Sequence, residues 1–262
     1  MTDPNNALHV EITGDGPPLV LLHGWAMHGG IFAPLVQALR ARRTLYVVDL
    51  PGHGHSRDAG VPLALEACAQ AVLAAVPTAP WCGWSLGGLI ALHAAQQAPQ
   101  RVPALAMVCA TPKFVRGDGW PHGMPVQVFT EFAQSLAQDW QGTVERFLAL
   151  EAFGSEHMRE ELRLLREAVL ARGAPVPQVL AAGLRLLETC DLRAALPALR
   201  MPSLWPGGRR DRLVNPAALQ AAAALAPQAR YVEVGHAGHA PFLTHADAVA
   251  TALRDFLDGA SA

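Results

Sequence analysis

The stretch that most constrains this chain is Trp81-Cys82-Gly83-Trp84-Ser85-Leu86-Gly87-Gly88, which puts Ser85 at the centre of Gly-x-Ser-x-Gly. An apolar run precedes it, and Leu89 to Ala98 follows with helical spacing and an Ala/Leu-rich composition. Strand, sharp turn and helix are the context in which such a serine becomes an exposed nucleophile. A serine on so tight a turn occupies strained backbone space, and a side chain at Gly83 or Gly87 would collide with the neighbouring strand or helix. In return, the hydroxyl stands at the positive end of a helix, where developing negative charge is stabilised.

The rest of the chain supplies the sheet such a turn requires. Leu8 to Thr13 reads as a short edge strand, closed by the turn Gly14-Asp15-Gly16-Pro17-Pro18. Leu19 to Leu22 is continuously apolar, as strands buried on both faces are. Helical spacing follows over Ile31 to Arg40, then a buried strand over Thr44 to Val48, a helix over Leu63 to Val76, and strands over Trp81 to Trp84 and Ala104 to Cys109. From Pro112 to Thr189 the pattern is helical, with no strand expected. Alternation resumes with a strand at Pro202 to Pro206, a helix at Pro216 to Leu225, a strand at Arg230 to Val234 and a helix at Ala246 to Leu257. The order predicts an α/β fold with a mostly parallel sheet. Residues 1–111 and 190–262 form its core, and residues 112–189 are an inserted helical cap over the carboxyl edge. The loops carrying His23, Asp49, Ser85, Asp211 and His239 all follow predicted strands, so they converge on that edge.

Composition excludes several functions. With 51% hydrophobic and 16% charged residues over 262 positions, the chain has ample core for one large domain. A formal net charge of −2 gives no electrostatic footprint for nucleic acid. Residues 67–100 carry no charge, but Pro77, Pro80, Pro99 and the glycine turn break them into separate elements, which argues against a membrane span. Met1 to Glu11 has neither the basic nor the apolar part of a signal peptide. A soluble, cytoplasmic, monomeric protein is the expectation. Cys68, Cys82, Cys109 and Cys190 are widely spaced and read as buried thiols. No metal or cofactor is expected, and His53 and His55 read as turn and surface residues without a ligand cluster near them.

A serine hydroxyl needs a base within hydrogen-bond reach. In a strand–turn–helix serine site the acid and then the histidine follow in chain order. His239, in Val234-Gly235-His236-Ala237-Gly238-His239-Ala240-Pro241-Phe242, is the candidate base, and His236 reads as a rim residue. Asp211, in a segment read as a glycine-rich loop leaving the preceding strand, is the candidate acid; pairing with Arg209, Arg210 or Arg212 is its competing use, and Asp191 is a weaker alternative. The backbone N–H groups of Leu86 and Trp25 are the candidate oxyanion donors. The side chains of Trp25 and Trp84 either wall an acyl pocket or pack in the core. His23 reads as a hydrogen-bonder that shapes its loop.

These segments together resemble the α/β-hydrolase superfamily, and within it the pimeloyl-ACP methyl ester esterases of biotin synthesis. The resemblance rests on Leu19-Val20-Leu21-Leu22-His23-Gly24-Trp25, Val48-Asp49-Leu50-Pro51-Gly52-His53-Gly54-His55-Ser56, Gly83-Trp84-Ser85-Leu86-Gly87-Gly88, Thr143-Val144-Glu145-Arg146-Phe147-Leu148-Ala149-Leu150 and His239-Ala240-Pro241-Phe242. It implies an α/β-hydrolase fold with Ser85, Asp211 and His239 as triad. It also implies a substrate site comprising Trp25, Ser85, Leu86, Phe147, Glu151 and His239, with the segment Phe147 to Glu151 facing the acyl chain. The implied partner is an acyl carrier protein bearing the substrate, docked on cap arginines. Arg146, Arg159 and Arg163 are the candidates here. The last two lie on an expected amphipathic helix, His157 to Ala171, whose apolar stripe is Met158, Leu162, Leu165 and Val169. A general short-chain carboxylesterase, a C–C bond hydrolase and a hydrolase-fold binding protein without turnover remain open alternatives.

Overall fold

The computed structural model describes residues 7–260. Part of the signal-peptide reading falls on residues 1–6, outside them. The seven strands are β1 Val10–Thr13, β2 Pro18–Leu22, β3 Thr44–Val48, β4 Trp81–Trp84, β5 Leu105–Val108, β6 Ser203–Gly208 and β7 Ala229–Val234. They form one sheet in the order β1-β3-β2-β4-β5-β6-β7. Only the edge pair β1–β3 is antiparallel; every other pairing is parallel. Residues 19–22 are fully buried, and all of β4 and β5 is buried as well, which is why these runs show no polar alternation.

The helices outside the insertion are α1 Ala33–Leu39, α2 Leu65–Ala75, α3 Leu86–Gln97, α8 Pro216–Leu225, α9 Pro241–Thr244 and α10 Ala246–Ala260. Between β5 and β6 lie α4 Val126–Gln138, α5 Trp140–Ala152, α6 Met158–Ala171 and α7 Pro177–Thr189. Two details differ from the sequence expectation. Residues 112–125 are not helical; they carry two isolated bridges, Val115 to Met124 and Gly117 to Trp120. Gly207 and Gly208 belong to β6 rather than to a loop. A Cβ at Gly208 would lie 2.0 Å from the Gly238 carbonyl oxygen, so glycine lets the segment before His239 rest on the strand that delivers Asp211.

The inward face of α6 also differs. Met158 is 40% exposed, while Glu161 is fully buried beside Leu165 and Val169. The Glu161 carboxylate explains the exchange. Its Oε1 accepts hydrogen bonds of 2.6 Å from Ser155 Oγ and from Thr244 Oγ1. Helix α6 is therefore tied by a polar contact to α9, the helix that follows His239. At its other end Arg172 reaches the core through Asp49 and Glu11.

The chain reverses direction across the sheet between β2 and β4: β3 lies on one side of β2 and β4 on the other. Crevices for ligands open at the carboxyl ends of strands at such a switch point. The loops there hold Gly24-Trp25 and Ser85-Leu86. The backbones are pressed together so closely that a Cβ at Gly87 would lie 2.3 Å from the Leu22 carbonyl oxygen, and one at Gly83 would lie 2.4 Å from that of Gly87. Gly87→Ala is expected to lose about 3 kcal/mol of stability, the upper end of overpacking costs. Gly259→Ala, with nothing within 4 Å of its added Cβ, is expected to change stability by no more than about 0.5 kcal/mol. Urea denaturation of the two variants beside the parent measures both.

Candidate active site

Ser85 has φ +53° and ψ −118°, a region that non-glycine residues rarely occupy. It precedes α3 as its N-cap, yet its side chain makes no capping bond. The hydroxyl turns instead to the histidine: Ser85 Oγ lies 2.9 Å from His239 Nε2. His239 Nδ1 lies 2.8 Å from Asp211 Oδ2. The other oxygen of that carboxylate, Oδ1, accepts from the backbone N–H groups of Leu213 at 2.8 Å and Val214 at 2.9 Å. A carboxylate held this way accepts, so Nδ1 carries the imidazole proton and Nε2 is free to receive one from the serine. None of the three arginines beside Asp211 pairs with it; Arg209 faces Glu233 and Arg210 faces His236. His236 lies at the surface, against Glu156, and Asp191 is taken up by Lys113 and Arg193.

Three segments fix His239. Its backbone N–H donates to the Glu151 carbonyl at 3.3 Å, and its carbonyl accepts from Trp84 Nε1 at 2.8 Å. The Trp84 ring packs on Phe242 and on the imidazole itself, with centroids 5.1 and 5.7 Å apart. Trp84 is thus a floor for the histidine rather than an acyl wall. Cys109, fully buried at φ +44°, lies against the same loop, with its Sγ 3.9 Å from the Gly238 carbonyl.

Leu86 opens α3, so its N–H has no acceptor within the helix. Gly24 lies against Ser85: a Cβ there would be 3.2 Å from Ser85 Cβ. The Gly24-Trp25 backbone therefore borders the serine from the β2 side. Trp25 is locked by a 2.8 Å bond from Nε1 to the Leu180 carbonyl of α7. Its ring meets Phe147 of α5 edge-on at 4.6 Å, and Phe147 in turn meets Phe132 of α4. Core and inserted helices thus close together over the serine. Ser85, His239, Trp25 and Leu86 are 0% exposed, and Phe147 and Glu151 are 1% exposed.

Glu151 is the unusual member. Neither carboxyl oxygen has a hydrogen-bond partner among the described residues. Burial, and then the nearby charges of Asp211 and Glu161, push its pKa well above the ordinary glutamate range. Its protonated form is therefore favoured over the carboxylate. Glu161 was legible only as a charge breaking the i, i+4 series Glu161, Leu165, Val169. Behind the β2 loop, His23 Nδ1 lies 2.8 Å from the Gly24 carbonyl, and Nε2 accepts from Leu50 N–H at 2.9 Å, so it does shape that loop. His53 is buried beside it, contrary to the turn-and-surface expectation. Burial lowers the pKa of His23 to about 3 and of His53 to about 4, and the charge of His53 further lowers that of His23.

The arginines lie outside this buried cluster. Arg159 is exposed, Arg163 pairs with Glu167 on its own helix, and Arg146 donates to Thr143 Oγ1 at 3.1 Å. Among the described residues, ligand-type side chains do converge in two places: Cys109, Asp211 and His239, and, against expectation, His9, Asp49 and His55. Among the described residues no helix is long and apolar enough to cross a membrane.

A buried serine, histidine and aspartate on the carboxyl edge of such a sheet are the furniture of a hydrolase, and comparison with known proteins agrees. Residues 17–246 match the alpha/beta hydrolase fold family, and the chain belongs to it. A pimeloyl-[acyl-carrier protein] methyl ester esterase from Stenotrophomonas maltophilia is 59% identical over 254 residues, covering 97% of this chain and 98% of that protein. One from Xanthomonas oryzae pv. oryzae is 56% identical over 250 residues, covering 95% and 98%. Among solved structures, an esterase from Exiguobacterium antarcticum superposes with a TM-score of 0.84 at 22% identity, covering 96% of this chain and 95% of that one; at that identity it shows the fold alone.

The neutral Glu151 has a measurable consequence. The folded protein keeps a proton that the unfolded chain releases above the ordinary glutamate pKa, so stability from this group is lost as pH rises. As pH rises above the ordinary glutamate pKa, over the range in which the rest of the chain stays folded, the melting temperature of the parent is expected to fall relative to that of Glu151→Gln, which has no proton to release. Parallel melting curves that keep a constant separation across this range would contradict the assignment.

Proposed function

We propose that this chain is a serine carboxylesterase that hydrolyses the methyl ester of pimeloyl-ACP methyl ester, giving pimeloyl-ACP and methanol in biotin synthesis. The observation that carries the reading is the hydrogen-bonded series Ser85–His239–Asp211 in a chain 59% identical to an esterase of that name. Ser85 Oγ attacks the ester carbonyl while His239 Nε2 takes its proton. The negative charge that develops on the carbonyl oxygen is met by the N–H groups of Leu86 and Trp25. Collapse of the tetrahedral intermediate breaks the bond to methoxide, which leaves as methanol with the proton from His239. Water then attacks the acyl-serine, His239 again takes a proton, and the carboxylic acid departs while Ser85 recovers its hydrogen. Asp211 holds the imidazole in the tautomer these steps need and stabilises the imidazolium without taking the proton.

Phe147 and Trp25, meeting edge-on, suit the wall of a chamber for a methylene chain. Residues 112–189 act as the cap. Because Ser85 is wholly buried, entry of the ester requires the cap helices to move from the core. Carrier docking is assigned to Arg146, Arg159 and Arg163, which complement an acidic carrier protein. The Arg163–Glu167 pair is an exposed one, worth only about 0.3–0.5 kcal/mol, so it yields readily to another carboxylate.

Ser85→Ala is expected to lower kcat on both pimeloyl-ACP methyl ester and p-nitrophenyl butyrate by about three orders of magnitude or more. Turnover by the variant equal to that of the parent would reject the nucleophile. Arg159→Glu combined with Arg163→Glu is expected to raise KM for the carrier-bound ester by about tenfold while leaving the p-nitrophenyl ester unaffected. An equal change on both substrates would remove the docking face but leave the esterase reading intact.

A further inference from the structure

We propose that His9, Asp49 and His55 form a binding site for a first-row divalent cation of the zinc type, on the core and apart from Ser85. The imidazole atoms His9 Nε2 and His55 Nδ1 are 3.3 Å apart. That is longer than the usual hydrogen bond from N–H, about 2.7–3.2 Å. It equals the edge of a tetrahedral zinc centre: with Zn–N of about 2.0–2.1 Å, two ligands at the tetrahedral angle stand about 3.3–3.4 Å apart. The donor atoms of His9, Asp49 and His55 all lie within 4.8 Å of one another. Two imidazoles, one carboxylate and a remaining open face suit zinc, nickel or copper rather than magnesium or calcium.

The three ligands are held in place by one backbone–backbone bond and two bonds from backbone N–H groups to side-chain oxygens. Asp49 N–H donates to the His9 carbonyl at 3.0 Å, His55 N–H donates to Asp49 Oδ2 at 2.8 Å, and His9 N–H donates to Ser56 Oγ at 2.8 Å. The rings meet edge-on with centroids 4.6 Å apart, so the two ring nitrogens are already brought together in the folded chain. Asp49 is buried and His55 is exposed, which leaves the open face toward water. Charge permits a cation. Arg172 lies 3.3 Å from Asp49 and 2.7 Å from Glu11, so two carboxylates face one guanidinium. Asp49 Oδ1 also accepts from Gly29 N–H, and an incoming ion competes with Arg172 for the remaining lone pairs. The other convergent group, Cys109, Asp211 and His239, is buried and engaged in the site already described.

The test titrates the full-length protein with Zn2+ in competition with a chromophoric chelator, and follows the imidazole Hε1 resonances by NMR. The parent is expected to take up zinc with selective shifts at His9 and His55, and His9→Ala or His55→Ala should each weaken binding by about tenfold or more. Both variants should keep p-nitrophenyl butyrate turnover, because neither side chain belongs to the catalytic machinery. Zinc uptake that persists in the double variant, or that shifts neither resonance, overturns the proposal. So does uptake seen only as loss of esterase activity, which would place the ion at His239 instead. None of these outcomes bears on the esterase reading.

Discussion

The backbone at Ser85 is the constraint on which the rest of the site depends. A positive φ at a residue with a side chain costs of order 1–3 kcal/mol and persists only where the surroundings over-determine it. Here β4 delivers the chain between β2 and β5, and the first turn of α3 starts against the end of β2. Gly87 lies so close to the Leu22 and His23 carbonyls that no side chain fits between them. The serine cannot relax into an ordinary turn without withdrawing α3 from the sheet. That rigidity lets one hydroxyl decline its local role as a helix cap and face a histidine 154 residues further along the chain.

The same reversal of strand order that opens a crevice also decides which loops border it. The loop after β2 contributes Gly24 and Trp25, and the loop after β4 contributes Ser85 and Leu86. Trp25 then joins two layers, its backbone beside the serine and its indole bonded to α7. The insertion contributes Phe147 and the Glu151 carbonyl that holds the His239 amide. The histidine is therefore fixed jointly by core and insertion. A displacement of α5 would release one of the bonds that orient His239.

Much of this was readable from residue order. The buried strands announced themselves as unbroken apolar runs, and β3, β4 and α8 have the bounds expected of them. Asp211 and His239 could be placed because each follows a strand on the same edge. What escaped depends on contacts between distant segments. Glu161 looked like one more charge on a polar helix face; only the hydroxyls of Ser155 and Thr244 make its burial affordable. His53 looked like a turn residue, because nothing local says that the His23 loop will cover it. Gly207 and Gly208 looked like a loop, because glycine signals a turn and a close backbone approach equally well, and only the position of Gly238 distinguishes them. The convergence of His9 with His55 needed the antiparallel edge pairing of β1 on β3, which no periodicity encodes.

The placement of acids around His239 follows one electrostatic requirement. In the acyl transfer proposed above the imidazole becomes a cation, and Asp211, with donors on both oxygens, is placed to supply the matching negative charge. A second full negative charge in the same dry chamber would tend to hold the imidazole protonated and so remove it as a base. Glu151 avoids this by keeping its proton, since it has no donors to stabilise a carboxylate. Glu161 is placed differently: its Oε1 accepts from two hydroxyls, and its Oε2 lies beside Gly238. Three carboxyl groups thus share one buried region and differ in the donors the fold gives them: two backbone amides and the imidazole for Asp211, two hydroxyls for Glu161 and none among the described residues for Glu151.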